Sequence, residues 1–436
     1  MTECYQGELG FGRVQRRVVS ADFSGGDISS DGGVLLLRET DRRIGLTAAM
    51  AKAVGDSRRR ASCEHSLVSL LRQRVYGLAL GYEDVNDHDQ LRFDGALQTA
   101  CNRVTPMGSS STVGRVERRA NRQAAWALHR VLVEQFIAAF KTAPEALVLD
   151  FDATDDPVHG KQEGRFFHGY YDQYCFLPLY VTCGDHLLVS YLRPSNIDAA
   201  WHAWAILSLL VKHLRQVWPG VRIIFRGDAG FCRHRMLRWC EDHGVGYIVG
   251  IAKNERLLDK ASSLMRVAQE RFEKTQAPQR LFHTVAYAAG TWDRTRQVIV
   301  KAEHLAKGAN PRFVVTNLEG DAQALYETLY CARGDMENKI KQQFQLFSDR
   351  TSCHRWWPNQ FRLLLSSCAY VLMNALRRIG LRRTALANAE VGTLRLQLFK
   401  IGVAIVRNTR RIRFLLSSSY PRQALFVQVA AHLESG

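Results

Sequence analysis

The run Leu149-Asp-Phe-Asp-Ala-Thr-Asp-Asp-Pro157 sets two carboxylates, Asp150 and Asp152, into an apolar segment. An acid in such a segment is costly to bury unless it is paired or bound to a metal. Two residues apart in an extended chain, the pair points to one face. Asp152 sits nearer the strand's exit, where a side chain reaches solvent and ligand, so it is the preferred ligand and Asp150 the second choice. Asp155 and Asp156, just ahead of Pro157, suit a turn. A further acid, Asp228, closes the run Ile223-Ile-Phe-Arg-Gly-Asp-Ala-Gly230. It falls at the carboxyl end of a strand, the edge where α/β sheets hold ligands; a helix N-cap is the competing assignment. The last is Glu337, in Tyr330-Cys-Ala-Arg-Gly-Asp-Met-Glu-Asn-Lys-Ile-Lys341. Tyr330, Arg333, Glu337 and Lys341 are spaced 3, 4 and 4 residues and share one helical face. A solvated stripe of ion pairs has the same spacing. Asp335 lies off that face.

Carboxylate oxygens on strand ends and on one helix face are what hard divalent cations take as ligands. Two such cations roughly 3.5–4 Å apart activate a water and neutralise charge building on a phosphoryl group. Phosphodiester cleavage is the chemistry this set suits. The charge balance agrees: 59 Lys and Arg against 42 Asp and Glu leave a net +17, which favours a polyanionic partner over solubility alone. Arginines cluster at Arg58, Arg59 and Arg60, at Arg115, Arg118, Arg119 and Arg122, at Arg377, Arg378, Arg382 and Arg383, and at Arg407, Arg410, Arg411 and Arg413.

Other chemistries lack their residues. No G-x-x-x-x-G-K-[ST] loop and no G-x-S-x-G elbow occurs. The acidic cluster 83–89 has Asp89 where a calcium loop needs glycine and Gly95 where it needs the closing acid, so a helix-connecting loop is expected. Ten cysteines include no C-x-x-C pair, and Cys63-x-His65 and Cys232-x-His234 lack second halves, which argues against zinc and for thiols in a reducing compartment. The polar N-terminus and the lack of 18 consecutive apolar residues lead to the expectation of a cytoplasmic, nucleoid-associated protein with no membrane partner.

The elements that must position the acids follow from periodicity. Residues 34–140 read as helices, with Leu67, Leu70, Leu71, Val75 and Leu78 at helix spacing. Either DNA recognition or a plain bundle with solvated arginines fits this segment. From residue 146 the period changes to that of strands: 147–152, then 175–182 and 186–192 joined by Cys183-Gly184-Asp185, a helix 199–217, a strand 221–226, a helix 231–243 and a strand 246–251. Three strands, helix, strand, helix, strand is the order of a ribonuclease-H-like core. Strand-like runs at 283–288, 297–302 and 312–316 interrupt it, followed by helices 321–347 and 361–379 and strand-like pieces within 394–406. The expected fold is therefore α/β: a ribonuclease-H-like mixed sheet interrupted by a mostly β insertion and preceded by an α-helical DNA-binding domain. The expected divisions are a helical N-terminal domain 1–140, the core's first part 141–253, the insertion 254–320, the core's second part 321–385 and a basic C-terminal segment 386–436.

With these residues in place the chain resembles the DDE transposases of bacterial insertion sequences, in the group-one set with a β insertion, and is most similar to insertion-sequence family thirteen-eighty. The stretches that carry the likeness are Leu149-Asp-Phe-Asp-Ala-Thr-Asp-Asp-Pro-Val-His-Gly160, Phe225-Arg-Gly-Asp-Ala-Gly-Phe231 and Tyr330-x-x-Arg-Gly-x-x-Glu-Asn-x-Ile-Lys341. Phe23-Ser-Gly-Gly with Ser30-Asp-Gly-Gly-Val34, and Leu394-Arg-Leu-Gln-Leu-Phe-Lys-Ile-Gly402, add to it. The resemblance implies that Asp152, Asp228 and Glu337 are the catalytic acids holding Mg2+ or Mn2+, as two ions. It implies that Tyr330 and Arg333 hold DNA phosphates. The related signature has a lysine seven residues after the glutamate, where this chain has Phe344; Lys341, on the same face, would take its place.

The implied reaction is cleavage at terminal inverted repeats by activated water, then attack of the freed 3′ hydroxyl on target DNA, by a homodimer holding both ends. Related enzymes pass through a hairpin, with a tryptophan of the insertion holding a flipped base. Trp292, in Gly290-Thr-Trp-Asp-Arg-Thr-Arg296, is the tryptophan of the expected insertion, with packing between strands as its other reading. Two rivals stand beside this: a non-catalytic relative that only grips element ends, and a nuclease that hydrolyses without joining.

Overall fold

The computed structural model describes residues 7–59, 61 and 63–435, so Arg60 of the first arginine cluster lies outside the described residues. The chain divides into two compact units: Asn121–Phe344 with Ser348–Ser367, and Met1–Ala120 with Gln345–Phe347 and Cys368–Gly436.

The unit holding the acids is built on a nine-stranded mixed sheet. Its strands are β1 (Ala146–Ala153), β2 (Leu179–Cys183), β3 (His186–Tyr191), β4 (Arg222–Gly227), β5 (Gly246–Ile251), β6 (Gln279–Tyr287), β7 (Arg296–Leu305), β8 (Gly308–Ala309) and β9 (Arg312–Thr316). The spatial order is β6-β7-β9-β5-β4-β1-β2-β3, with β8 on β7. Strands β1, β2 and β3 form an antiparallel meander, and β4 and β5 join parallel to β1. This is the strand arrangement expected of a ribonuclease-H-like core. Leu147, Leu149 and Phe151 of β1 and Ile223 and Phe225 of β4 alternate into one core with Leu207, Leu210, Val211 and Leu214 of helix α2 (Ala203–Val217). Helix α1 (Arg122–Ala138), capped by Asn121 accepting from Ala124 N at 2.9 Å, adds Val133 and Phe136 to that core.

Several elements differ from the sequence reading. The run expected as one strand at 175–182 is two. Residues Gln173–Phe176 join a separate three-stranded sheet with Asp156–Pro157 and Phe166–His168, while Leu179–Cys183 joins the main sheet. Pro178 stands at the break, with no N–H to offer a ladder. The helix expected at 231–243 is α3 (His234–Asp242), preceded by a tight turn Ala229–Phe231. The segment expected to be mostly β begins with a 21-residue helix, α4 (Glu255–Thr275), whose Leu257, Ala261 and Ala268 are buried at helical spacing. Its strands form no sheet of their own: β9 pairs with β5, Ile248 opposite Thr316, and extends the central sheet. The helix expected over 321–347 is interrupted. A wide π turn (Leu325–Tyr330) and a 3-10 turn (Cys331–Arg333) precede α5 (Gly334–Gln345). Residues 394–399, expected to be strand-like, are helical.

The other unit packs helices Val34–Ile44, Leu46–Val54, Leu67–Leu80, Gly95–Ala100 and Ser110–Arg118 with a sheet of Ile28–Ser29, Val403–Arg407 and Ile412–Leu416. The two outlying segments singled out in the sequence meet here. Gly32 N donates to Ile401 O at 2.9 Å, Gly33 N to Phe399 O at 3.1 Å, and Lys400 Nζ to the buried Asp31 at 2.7 Å. A side chain on Gly33 would stand 2.0 Å from the Leu398 carbonyl oxygen, so only glycine allows this approach. Nearby, the Gln73 amide is fixed by Gly108, donating to its carbonyl at 2.8 Å and accepting from its N–H at 3.1 Å. The remaining amide N–H faces His88 Nδ1 at 3.2 Å. That nitrogen must accept, so the ring is neutral, and burial holds its pKa down at about 4. Among the described residues no helix is long and apolar enough to cross a membrane.

Candidate active site

Parallel pairing decides where the first two acids meet. Gly227 lies opposite Phe151 in the β1–β4 ladder, so Asp152 and Asp228, each one residue further on, leave neighbouring strands at the same sheet edge. Both line one cleft of about 330 Å³. Asp228 is held by the turn it starts, its carboxylate accepting from Gly230 N at 2.9 Å. The N-cap assignment and the cleft position therefore describe the same residue. Asp152 Oδ1 accepts from Ala153 N at 2.9 Å. Burial pushes the Asp152 carboxyl up to about 6, Arg333 opposes that rise, and the Asp228 charge adds to it.

Asp150, the second choice among the β1 acids, has another duty. It is fully buried and paired with Arg226, which donates through Nη2 to Oδ2 at 2.6 Å and through Nε to Oδ1. The same guanidinium donates to the Leu329 carbonyl. This pair joins β1, β4 and the π turn that ends at Tyr330.

That turn and the 3-10 turn after it set the cationic side of the cleft. Arg333 Nη1 donates to Asp152 Oδ2 at 3.4 Å. Tyr330 is half-buried, and its hydroxyl is pushed up by burial, with Arg333 opposing and Asp228 adding. A side chain on Gly250 of β5 would stand 2.6 Å from the Tyr330 hydroxyl and 3.0 Å from Ala229 N. Gly250 is thus the floor on which Tyr330 and the Asp228 turn both rest.

The structure does not bring Glu337 to this cleft. Its side chain is 73% exposed and accepts from Lys341 Nζ at 2.8 Å, a contact that keeps its carboxyl below the usual range. Helix α5 turns the other way at Met336, which is buried and receives the Thr182 hydroxyl of β2 at 3.1 Å. Lys341 is 62% exposed. Among the described residues no three His, Cys, Asp or Glu side chains converge as a metal group. Trp292 is also elsewhere, in the loop between β6 and β7. It packs edge-on to Tyr287, centroids 5.5 Å apart, with the Arg296 guanidinium 5.1 Å from its ring centre.

The donor chemistry of Asp152 and Asp228 fits a divalent cation. Both offer hard oxygen ligands, and a cation bound to both would relieve the repulsion that Asp152 feels. Missing from the sequence reading was the third wall of the cleft, formed by His168, Tyr170 and Tyr171. Its signal was composition: five phenylalanines and tyrosines within 166–174.

Comparison with known proteins gives three results. A family model for the transposase DDE domain, group 1, matches residues 11–435. No curated protein matches the chain. Among solved structures, a piggyBac transposase synaptic complex with hairpin DNA, determined by cryo-electron microscopy, is similar at 11% identity and a TM-score of 0.40, over 84% of this chain and 80% of that one.

Proposed function

Because the chain belongs to the group 1 family of transposase DDE domains, we propose that it is a DNA transposase that cuts at the terminal inverted repeats of a mobile element and joins the freed 3′ ends to target DNA. The observation that carries this reading is the shared cleft of Asp152 and Asp228, with Arg333 donating to Asp152. In this proposal Asp152, Asp228 and Glu337 are the catalytic acids and the ligands of Mg2+ or Mn2+, as a pair of ions. The bound cation would supply a more acidic water and charge neutralisation at the phosphoryl oxygens.

This chain's own groups do the rest. Asp228 presents a carboxylate fixed by the Gly230 N–H. Arg333 leaves Asp152 for a phosphate oxygen when DNA enters, exchanging one anion for another and freeing the acid. Tyr330, seated on Gly250, donates its hydroxyl to the same backbone. Glu337 joins only by parting from Lys341, which then turns to phosphate in its turn. The basic surface, the helical segment 1–140 included, holds the element ends. Two ends held together call for a homodimer on DNA. The residue pattern favours a bacterial insertion sequence of family thirteen-eighty, acting at the nucleoid.

A second reading has its own support. The outward Glu337–Lys341 pair suits a relative that binds element ends without cutting them. One experiment separates the two: nicking of donor DNA carrying the element's ends, with Mg2+ or Mn2+. The parent should nick and Asp228→Ala should not. Equal nicking by both sinks the site assignment, and no nicking by the parent on any donor favours the binding-only relative.

A further inference from the structure

Leu9–Val14 and Arg17–Ala21 pair antiparallel and form a two-stranded sheet of their own. A lone two-stranded ribbon is marginally stable in water, so one that stands clear of its fold suits a partner that orders it. Neither face of this one is covered: Phe11 is 63% exposed, Val14 65% and Val18 66%. The strands meet in a two-residue turn, Gln15-Arg16, with Val14 opposite Arg17 and then Arg13 opposite Val18. Side chains directly opposite share a face, and successive pairs alternate between faces. Each face therefore carries one arginine beside one valine. Arg13, Arg16 and Arg17 are exposed, and among the described residues none of them has a hydrogen-bond or ion-pair partner. Gln15 takes φ 57°, a left-handed turn position that glycine fills more easily. The tip thus keeps a long polar side chain at a conformational cost.

We propose that this ribbon enters the major groove of duplex DNA, with Gln15 and Arg16 on base edges at the groove floor and Arg13 and Arg17 on the phosphate backbones of its two walls. The proposal rests on the DNA reading above and gives it a contact of stated geometry. The unpaired charge is all of one sign and lies within residues 13–17. A major groove roughly 12 Å wide admits a two-stranded ribbon. The six residues of Leu9–Val14, at about 3.3 Å each, give it about 20 Å of reach. Arginines on opposite faces match a slot with an anionic wall on either side. Glutamine and arginine are the side chains that pair with adenine and guanine edges in that groove. A second copy paired along the same strands fits less well, because it would set these arginines against one another.

The test uses the full chain in EDTA, where nothing is cut, and a labelled duplex of mixed sequence, with binding read by anisotropy across a salt series. Arg13→Ser/Arg17→Ser should bind about tenfold more weakly than the parent, with a log–log salt slope shallower by about 1.8, two phosphate contacts at about 0.9 each. Arg222→Ser/Arg266→Ser removes the same charge from exposed arginines that each face a glutamate, and should bind as the parent does. The groove is read with a second duplex whose cytosines carry glucosylated hydroxymethyl groups, which fill the major groove. The parent should bind it about tenfold more weakly than the plain duplex. In Gln15→Ser/Arg16→Ser that gap should close, and Arg16→Ser alone carries the reading if the pair misfolds. Netropsin, which fills the minor groove, should leave the effect of both ribbon variants unchanged. Parent-like binding by Arg13→Ser/Arg17→Ser, or a gap that persists in Gln15→Ser/Arg16→Ser, overturns the inference. So does a ribbon variant that binds DNA like the parent but sediments as a smaller species without DNA, which would make the ribbon an arm between copies. A parent that binds no duplex overturns the DNA reading itself along with this one, whereas a parent that binds and variants that match it overturn the ribbon alone.

Discussion

Arg333 and Asp152 stand 181 residues apart in the chain and 3.4 Å apart in the fold. A guanidinium on one acid of a carboxylate pair occupies the charge position that a divalent cation would take. Such a part-exposed pair contributes roughly 0.2–1 kcal/mol. Arg333→Gln is therefore expected to tighten Mn2+ binding to the DNA-free protein about two- to fivefold, by titration calorimetry. If Arg333 holds phosphate as proposed, the same change should lower DNA nicking by roughly 100-fold or more. Opposite movement of the two readouts is the signature; if neither moves, Arg333 is a bystander.

The two acids of β1 should separate in stability. Asp150 is buried with Arg226 as its ion-pair partner, so Asp150→Ala leaves an uncompensated guanidinium and should destabilise the fold by about 3–5 kcal/mol. Asp152 is held up near 6 by burial and by Asp228, so its charged form strains the folded state at neutral pH. Asp152→Asn should stabilise by about 1–2 kcal/mol while abolishing nicking. Denaturant unfolding of both variants at pH 7.5 checks the contrast. Equal destabilisation by the two changes would count against this division of labour.

How far the sequence told this in advance differs by residue. Asp152 and Asp228 were legible because each ends an apolar strand, and the parallel order of β1 and β4 then had to place them together. Alternation did not separate Asp150 from Asp152; nearness to the strand's exit favoured Asp152, while the duty of Asp150 shows only in its partner Arg226, 76 residues away. The face shared by Tyr330, Arg333, Glu337 and Lys341 assumed one regular helix. The π and 3-10 turns before Gly334 break that regularity, and Arg333 turns to Asp152 while Glu337 turns to solvent. Helix α4 carried a helical stripe at Leu257, Ala261 and Ala268, outweighed in the reading by the strands that follow it. The aromatics of residues 166–174 recur every four residues, at Phe166, Tyr170 and Tyr174 and at Phe167 and Tyr171, a spacing that does not mark a strand, so composition was the usable signal.

Gly250 offers a test of the site that touches no charged group. The added methyl in Gly250→Ala would meet the Tyr330 hydroxyl at 2.6 Å and Ala229 N at 3.0 Å. Tyrosine or the Asp228 turn must then shift by several tenths of an ångström. The expected result is a folded protein, destabilised by about 1–3 kcal/mol, that nicks DNA at least tenfold more slowly. Gly290→Ala, where the new methyl meets nothing within 4 Å, is the matched control. Gly250→Ala with full nicking would mean that Tyr330 and Asp228 need no common support.

His88 makes stability depend on acid. Its Nδ1 accepts from Gln73, its Nε2 is buried without a partner, and its ring lies 3.2 Å from where a side chain on Gly77 would begin. Burial disfavours the charged ring and takes its pKa from 6.5 down to about 4, with the Arg74 charge adding; protonation would also set a new N–H against the Gln73 amide N–H. The sign follows from that depression. Above pH 6.5 the ring is neutral in folded and unfolded chains alike, and the full contribution is present. As pH falls from 6.5 toward 4 the unfolded chain takes up a proton that the folded one refuses, and stability drops by up to about 3 kcal/mol. Denaturant midpoints measured from pH 7.5 down to pH 4 should show this loss in the parent. His88→Gln should be less stable at pH 7.5 and show a shallower slope below 6.5, and an unchanged slope would place the acid sensitivity on other groups.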